Sequence, residues 1–211
     1  MRFRAAAALF AVLAVAMPEA HAAPSNKLDY TVLRDGSEVG SHSISFERSG
    51  DTTTLNIATK IAVKVVFVTV YRFEHVAQET WKGDRLVSLQ SKTNDDGTAH
   101  HVEATAGEGA LVVNGDTKGQ RVDSSIVPGS LWNIRAVKQS LLLNSLDGTQ
   151  MQVSVKDVGD ERIKVRGASA VAHHYRITGG LARDVWYDAS QTLVRMQFAA
   201  KDNSTIVYEL Q

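Results

Sequence analysis

Apolar and polar residues alternate with a period of two along most of the chain. From Thr53 to Val63 the odd positions are Thr53, Leu55, Ile57, Thr59, Ile61 and Val63, and the even ones are Thr54, Asn56, Ala58, Lys60 and Ala62. Successive side chains of a strand point to opposite faces, so this pattern describes a strand with one buried and one wet face. In Gly40 to Phe46, His42, Ile44 and Phe46 oppose Ser41, Ser43 and Ser45. Near the C-terminus Val194, Met196 and Phe198 oppose Arg195 and Gln197.

Turn signals fall between these runs at short spacing. They are Asp35-Gly36, Ser49-Gly50-Asp51, Lys82-Gly83-Asp84, Asp95-Asp96-Gly97, Asn114-Gly115-Asp116, Asp147-Gly148, Gly179-Gly180 and Asp202-Asn203. Gly, Asn and Asp tolerate the positive φ that tight hairpins need. Strands joined by short polar turns predict an all-β protein, mainly an antiparallel meander of about a dozen strands. So long a meander must curl into a half-barrel or barrel, or split into two packed sheets. The preferred expectation is a curved sheet with one or two short helices. The best helix candidate is Ile134 to Leu143, with Ser130 as a cap and a place against the concave side of the sheet.

The first residues obey a different pattern. Arg2 and Arg4 precede an apolar run from Ala5 to Met17, and Ala20-His21-Ala22 supplies the small residues that signal peptidase accepts. The run is shorter than the roughly 20 apolar residues of a membrane span. This predicts a signal peptide over 1–22, cleavage after Ala22, and a single β-rich domain over 23–211 in the periplasm or secreted. The chain has no cysteine, which excludes both a lipidated N-terminal Cys and disulfides, so stability has to come from a large core. No second long apolar segment suggests a transmembrane anchor.

Charge narrows the partners. The chain has 23 basic and 23 acidic residues. Removing Arg2, Arg4 and Glu19 leaves 21 and 22, a net charge near −1. Such balance argues against nucleic acid and gives no polybasic membrane patch.

Candidate chemistry concentrates on one strand. Tyr71, Phe73, His75, Ala77, Glu79 and Trp81 share a face, opposite Arg72, Glu74, Val76, Gln78 and Thr80. The aromatic face is expected to point inward and to carry His75 and Glu79 with it. Buried polar groups need partners or a ligand, and a few polar groups within an apolar pocket orient one. At about 13 Å apart on the strand, His75 and Glu79 are no acid/base pair by themselves. Trp132 could cover such a cavity, and Trp186 and Tyr187 could line it or pack the core. The apolar run Ile61 to Tyr71 reads either as a strand buried on both faces or as a lip where a ligand enters.

The adjacent pairs His100-His101 and His173-His174 point to opposite faces of their strands, so neither pair can jointly bind an ion. No H-x-H or H-E-x-x-H occurs, and Gly129-Ser130 lacks a nucleophile-elbow context. No catalytic residue, metal or cofactor is therefore expected.

The segments Tyr30 to Gly40, Tyr71 to Trp81, Ser130-Leu131-Trp132-Asn133 and Asp184 to Asp188 resemble a family of exported bacterial proteins defined as a domain of unknown function. That family is similar in outline to periplasmic β-rich families related to lipoprotein carriers. The resemblance implies a half-barrel or barrel fold and a periplasmic home, and carries over no catalytic residue. The functional expectation is a non-enzymatic carrier for a hydrophobic or amphipathic small molecule, lined by Tyr71, Phe73, His75, Glu79, Trp81, Trp132 and Trp186. Two alternatives stand beside it. One is an enzyme acting on envelope lipids or glycans through His75 or Glu79. The other is a structural or assembly partner in the envelope.

Overall fold

The computed structural model describes residues 26–211, and the expected signal peptide and its cleavage position lie outside them. In chain order the strands are β1 (Lys27–Arg34), β2 (Ser37–Ser49), β3 (Thr52–Val65), β4 (Val68–Lys82), β5 (Arg85–Asp95), β6 (Thr98–Ala106), β7 (Ala110–Asn114), β8 (Gln120–Asp123), β9 (Val127–Pro128), β10 (Leu141–Leu143), β11 (Gln150–Val165), β12 (Ala168–Gly179), β13 (Arg183–Tyr187), β14 (Leu193–Ala199) and β15 (Thr205–Leu210). All belong to one sheet in the order β8-β7-β6-β5-β4-β3-β2-β1-β15-β14-β13-β12-β11-β10-β9. Two meanders are thus joined where β1 pairs antiparallel with β15.

The two ends of this sheet, β8 and β9, follow each other in the chain, so the sheet curls round on itself. Three contacts tie the seam. The Asp116 amide donates to the Asp147 carbonyl at 2.8 Å, Gln120 Nε2 to the Gly148 carbonyl at 3.4 Å, and the Ser91 hydroxyl to the Ser145 carbonyl at 2.6 Å. Gly115 permits this closeness, because a Cβ there would lie 2.2 Å from the Asp147 carbonyl oxygen.

The strand register arranges inward side chains in cross-strand rows. One row is apolar apart from a serine and runs Ile44, Ile57, Ala77, Ser91, Val102. The next towards the end that holds Trp132 is Phe46, Leu55, Glu79, Leu89, Ala104. On the other side of the first lies a polar row of Tyr30, His42, Thr59, His75 and Thr93. The core is continuous from these rows into Val185, Tyr187, Leu193 and Ile206 of the second meander.

The expected helix over 134–143 is shorter and differently capped. A 3-10 helix spans Ile134–Lys138 and Asn133, not Ser130, caps it, while Leu141–Leu143 is a strand. Leu142 and Leu143 gain more as sheet residues buried against Met151 and Val127 than as a last helical turn. Among the described residues no helix is long and apolar enough to cross a membrane.

The segment Ile61 to Tyr71 is not a strand buried on both faces. Pairing of β3 with β2 ends at Ile61↔Gly40, and pairing of β4 with β5 ends at Phe73↔Asp95. Beyond these points β3 and β4 pair only with each other and stand out as a two-stranded hairpin. Its tip is apolar and exposed: Val66 is 82% and Phe67 94% exposed, with Val65, Val68 and Val70 more than half exposed. The turn contains no Gly, Asn or Asp, and Val66 takes a φ of +58°, a region that costs a β-branched residue conformational energy.

Candidate functional site

The inward face of β4 runs from open to sealed. Tyr71 and Phe73 are half-buried near the hairpin, whereas His75, Ala77, Glu79 and Trp81 are buried. Tyr71 donates its hydroxyl to Asp95 Oδ1 at 2.7 Å, which anchors the root of the hairpin to β5.

At the sealed end Glu79 is fully buried. Its Oε2 accepts the indole N–H of Trp81 at 2.9 Å and that of Trp132 at 2.8 Å. The two indoles meet edge to face with centroids 5.5 Å apart, and Phe46 closes on Trp132 at 5.7 Å. The Ser130 hydroxyl lies beside the carboxyl, but no group in hydrogen-bond geometry meets Oε1. Burial pushes the Glu79 carboxyl above the usual carboxylate range, against the Trp132, Ser130 and Trp81 donors that favour its charge. Arg135 reaches the Asp84 carbonyl and pins the segment that carries Trp132 across this end. The cluster is a carboxyl-centred lock between the wall and the covering segment.

His75 is partnered quite differently. Its Nδ1 shares a hydrogen bond with the Thr93 hydroxyl at 2.9 Å, and one strand pair away His42 Nδ1 does the same with Thr59 at 2.7 Å. No carboxylate faces either ring in these bonds. Burial brings both imidazoles down to about 4, helped at His42 by the neighbouring His75. Both are therefore neutral at pH 7. A general base needs a partner that orients it and a route to substrate. Hydrogen bonds orient His75 and Glu79, but both side chains are buried away from solvent.

Trp186 belongs elsewhere. It lies on β13, stacks on His174 with centroids 4.3 Å apart, and donates its N–H to Glu161 Oε2 at 2.8 Å. His174 bridges Glu161 and Asp184 with its two nitrogens. Its neighbour His173 points the other way, to Asp160 and Asp157. The sequence-predicted residues thus divide into the Glu79–Trp81–Trp132 lock, the His75 pair, the half-open Tyr71 and Phe73, and the separate Trp186 cluster.

Towards the hairpin the second meander adds residues that sequence patterning did not single out. Tyr208 faces His42 at 5.4 Å between centroids and Phe198 at 6.2 Å. The Arg183 guanidinium lies 3.6 Å over the Phe198 ring. The register places Tyr208, Val32, Ile61 and Phe73 in one cross-strand row. The mouth at this end is therefore aromatic on both meanders. A cleft of about 330 Å³ opens at the hairpin root between Arg34, Glu38, Val39, Val63 and Lys64. A wider trough of about 590 Å³ lies on the outer wall over Ser43, Asn56, Gln78 and Gln90.

A search among curated proteins finds no match. Among solved structures the chain is similar to a beta-barrel-like protein of the domain of unknown function DUF1849 from Brucella abortus. The TM-score is 0.54 at 14% identity, over 88% of this chain and 94% of that one. At that identity the likeness concerns the fold alone: a single curved, barrel-like sheet. Residues 30–211 match the domain of unknown function DUF6134, and the chain belongs to that family.

Proposed function

We propose that the protein is a non-enzymatic binding protein for hydrophobic or amphipathic molecules of the cell envelope, and that it meets them at the end of the barrel where the β3–β4 hairpin stands out. The hairpin carries the reading. Five exposed apolar residues in six positions, Val65 to Val70, are costly to leave in water, and the strained φ of Val66 holds Phe67 at the apex. Tyr71 and Phe73 continue the apolar surface inward towards the barrel. The sealed and separately bonded His75 and Glu79 disfavour the enzymatic alternative. Binding at the envelope accords with the export signal expected at residues 1–22.

The absence of cysteine makes Phe67→Cys a unique attachment point for an environment-sensitive dye. Titration with monolaurin, an uncharged single-chain amphiphile, below its aggregation concentration should give a saturable blue shift from this position. The same dye at Val76→Cys, half-exposed on the outer wall, should give none. An unsaturable response, or equal responses at both positions, would overturn the reading.

A further inference from the structure

Arg183 has the surroundings of a ligand anchor and no ion-pair partner among the described residues. It opens β13 and pairs with Ile177, in the same inward alternation as Val185 and Tyr187. Its guanidinium rests on Phe198, and among the described residues Tyr208 is the ionisable side chain that acts on its charge. Among the described residues no carboxylate forms an ion pair with it, whereas the partly buried Arg34, Arg135 and Arg195 each have one. Burial is deep enough to bring its pKa down to about 10, yet the residue keeps some accessible surface. It is thus a half-buried cation stacked on a ring at the hairpin end of the sheet.

A half-buried charge without a counter-ion is only partly hydrated, and an arginine fork suits the paired oxygens of a carboxylate or phosphate. The residues that share this part of the interior repel no anion: His42 is neutral, and Tyr208 stays protonated through burial. Phe198, Tyr208 and Phe73 offer ring surface to a chain attached to that head group.

We infer that Arg183 is the anion anchor of a binding site in the barrel mouth, and that the bound molecule is an acidic amphiphile whose carboxylate or phosphate meets the guanidinium. The inference rests on the binding function proposed above and specifies its ligand class. A fatty acid and a phosphate-bearing lipid share the required chemistry.

Calorimetric titration of the purified protein with laurate, dodecyl phosphate and monolaurin separates the possibilities. At least one of the two acids should bind about tenfold or more tightly than monolaurin, the range of a charge-assisted hydrogen bond. Which acid binds more tightly identifies the source. Arg183→Gln should reduce acid binding to the level of monolaurin, while Arg183→Lys should retain part of the preference. Equal binding of all three by the native protein, or an unchanged acid preference in Arg183→Gln, overturns the anchor and leaves the binding function standing. Failure of all three to bind removes both. Should Arg183→Gln not fold, the comparison of native protein with Arg183→Lys still reads the preference.

Discussion

Mild acid should destabilise this barrel from the inside. His42 and His75 occupy one cross-strand row at 9% and 6% exposure, each bonded only to a threonine hydroxyl at Nδ1. In the unfolded chain each imidazole takes up its proton near 6.5, but in the fold burial delays this to about 4. Between those values the unfolded state binds more protons than the folded one. The contribution of these two rings is therefore complete above pH 6.5, falls as the pH drops, and stops falling below about 4. At about 1.4 kcal/mol per tenfold difference in proton affinity, a displacement from 6.5 to about 4 is worth about 3 kcal/mol for each ring. The rings repel each other when charged, so their effects are coupled, but the sum is a large share of the roughly 5–15 kcal/mol that holds a typical domain together. His173 works the other way: Asp160 and Asp157 raise its pKa, so it stabilises the fold as pH falls. That pair is solvent-exposed and screened, and offsets little. Urea unfolding followed by tryptophan fluorescence from pH 7 to pH 4 measures the loss. His42→Gln with His75→Gln should flatten the profile. An equally steep profile in the double variant, or imidazole proton resonances titrating near 6.5 in the native protein, would refute the reasoning.

Glu79 titrates with the opposite consequence. Its pKa is raised in the fold, so the unfolded chain loses the proton first and stability falls as pH rises above about 4.5 towards the folded value. Glu79→Gln keeps an oxygen for the two indoles, and in denaturant melts it should match the native protein at low pH and exceed it at pH 8. Glu79→Ala should cost about 1–3 kcal/mol at any pH, because the Trp81 and Trp132 N–H groups lose their acceptor. At the seam, Gly115→Ala drives a methyl group against the Asp147 carbonyl. It should cost about 1–3 kcal/mol and speed hydrogen exchange at the Asp116 amide, and unchanged exchange there would mean that the seam closes some other way.

The strands, the polar turns and the all-β class are local properties, and the sequence alone determined them. Alternation over Thr53 to Val63 and positive-φ residues at Asp35-Gly36 or Asp96-Gly97 describe single strands and single turns, whatever packs on them. The inward set on β4 from Tyr71 to Trp81 was legible for the same reason. Alternation says which residues share a face, but not which residues on other strands they meet. Only the register placed His42 beside Thr59 and His75 in one row, and only the covering segment brought Trp132 onto Glu79. Trp186 shares its strand with the core residue Val185 but lies with His174 and Glu161, because β13 is buried on both sides and its alternation is silent. The helix expected over 134–143 yielded to sheet pairing, since burial of Leu142 and Leu143 outweighs local propensity. The hairpin is the plainest case. The composition of Ile61 to Tyr71 suits a doubly buried strand, and what exposes it is that pairing with β2 and β5 ends at Gly40 and Asp95. Burial belongs to the neighbours a segment has, and those are set by the tertiary structure.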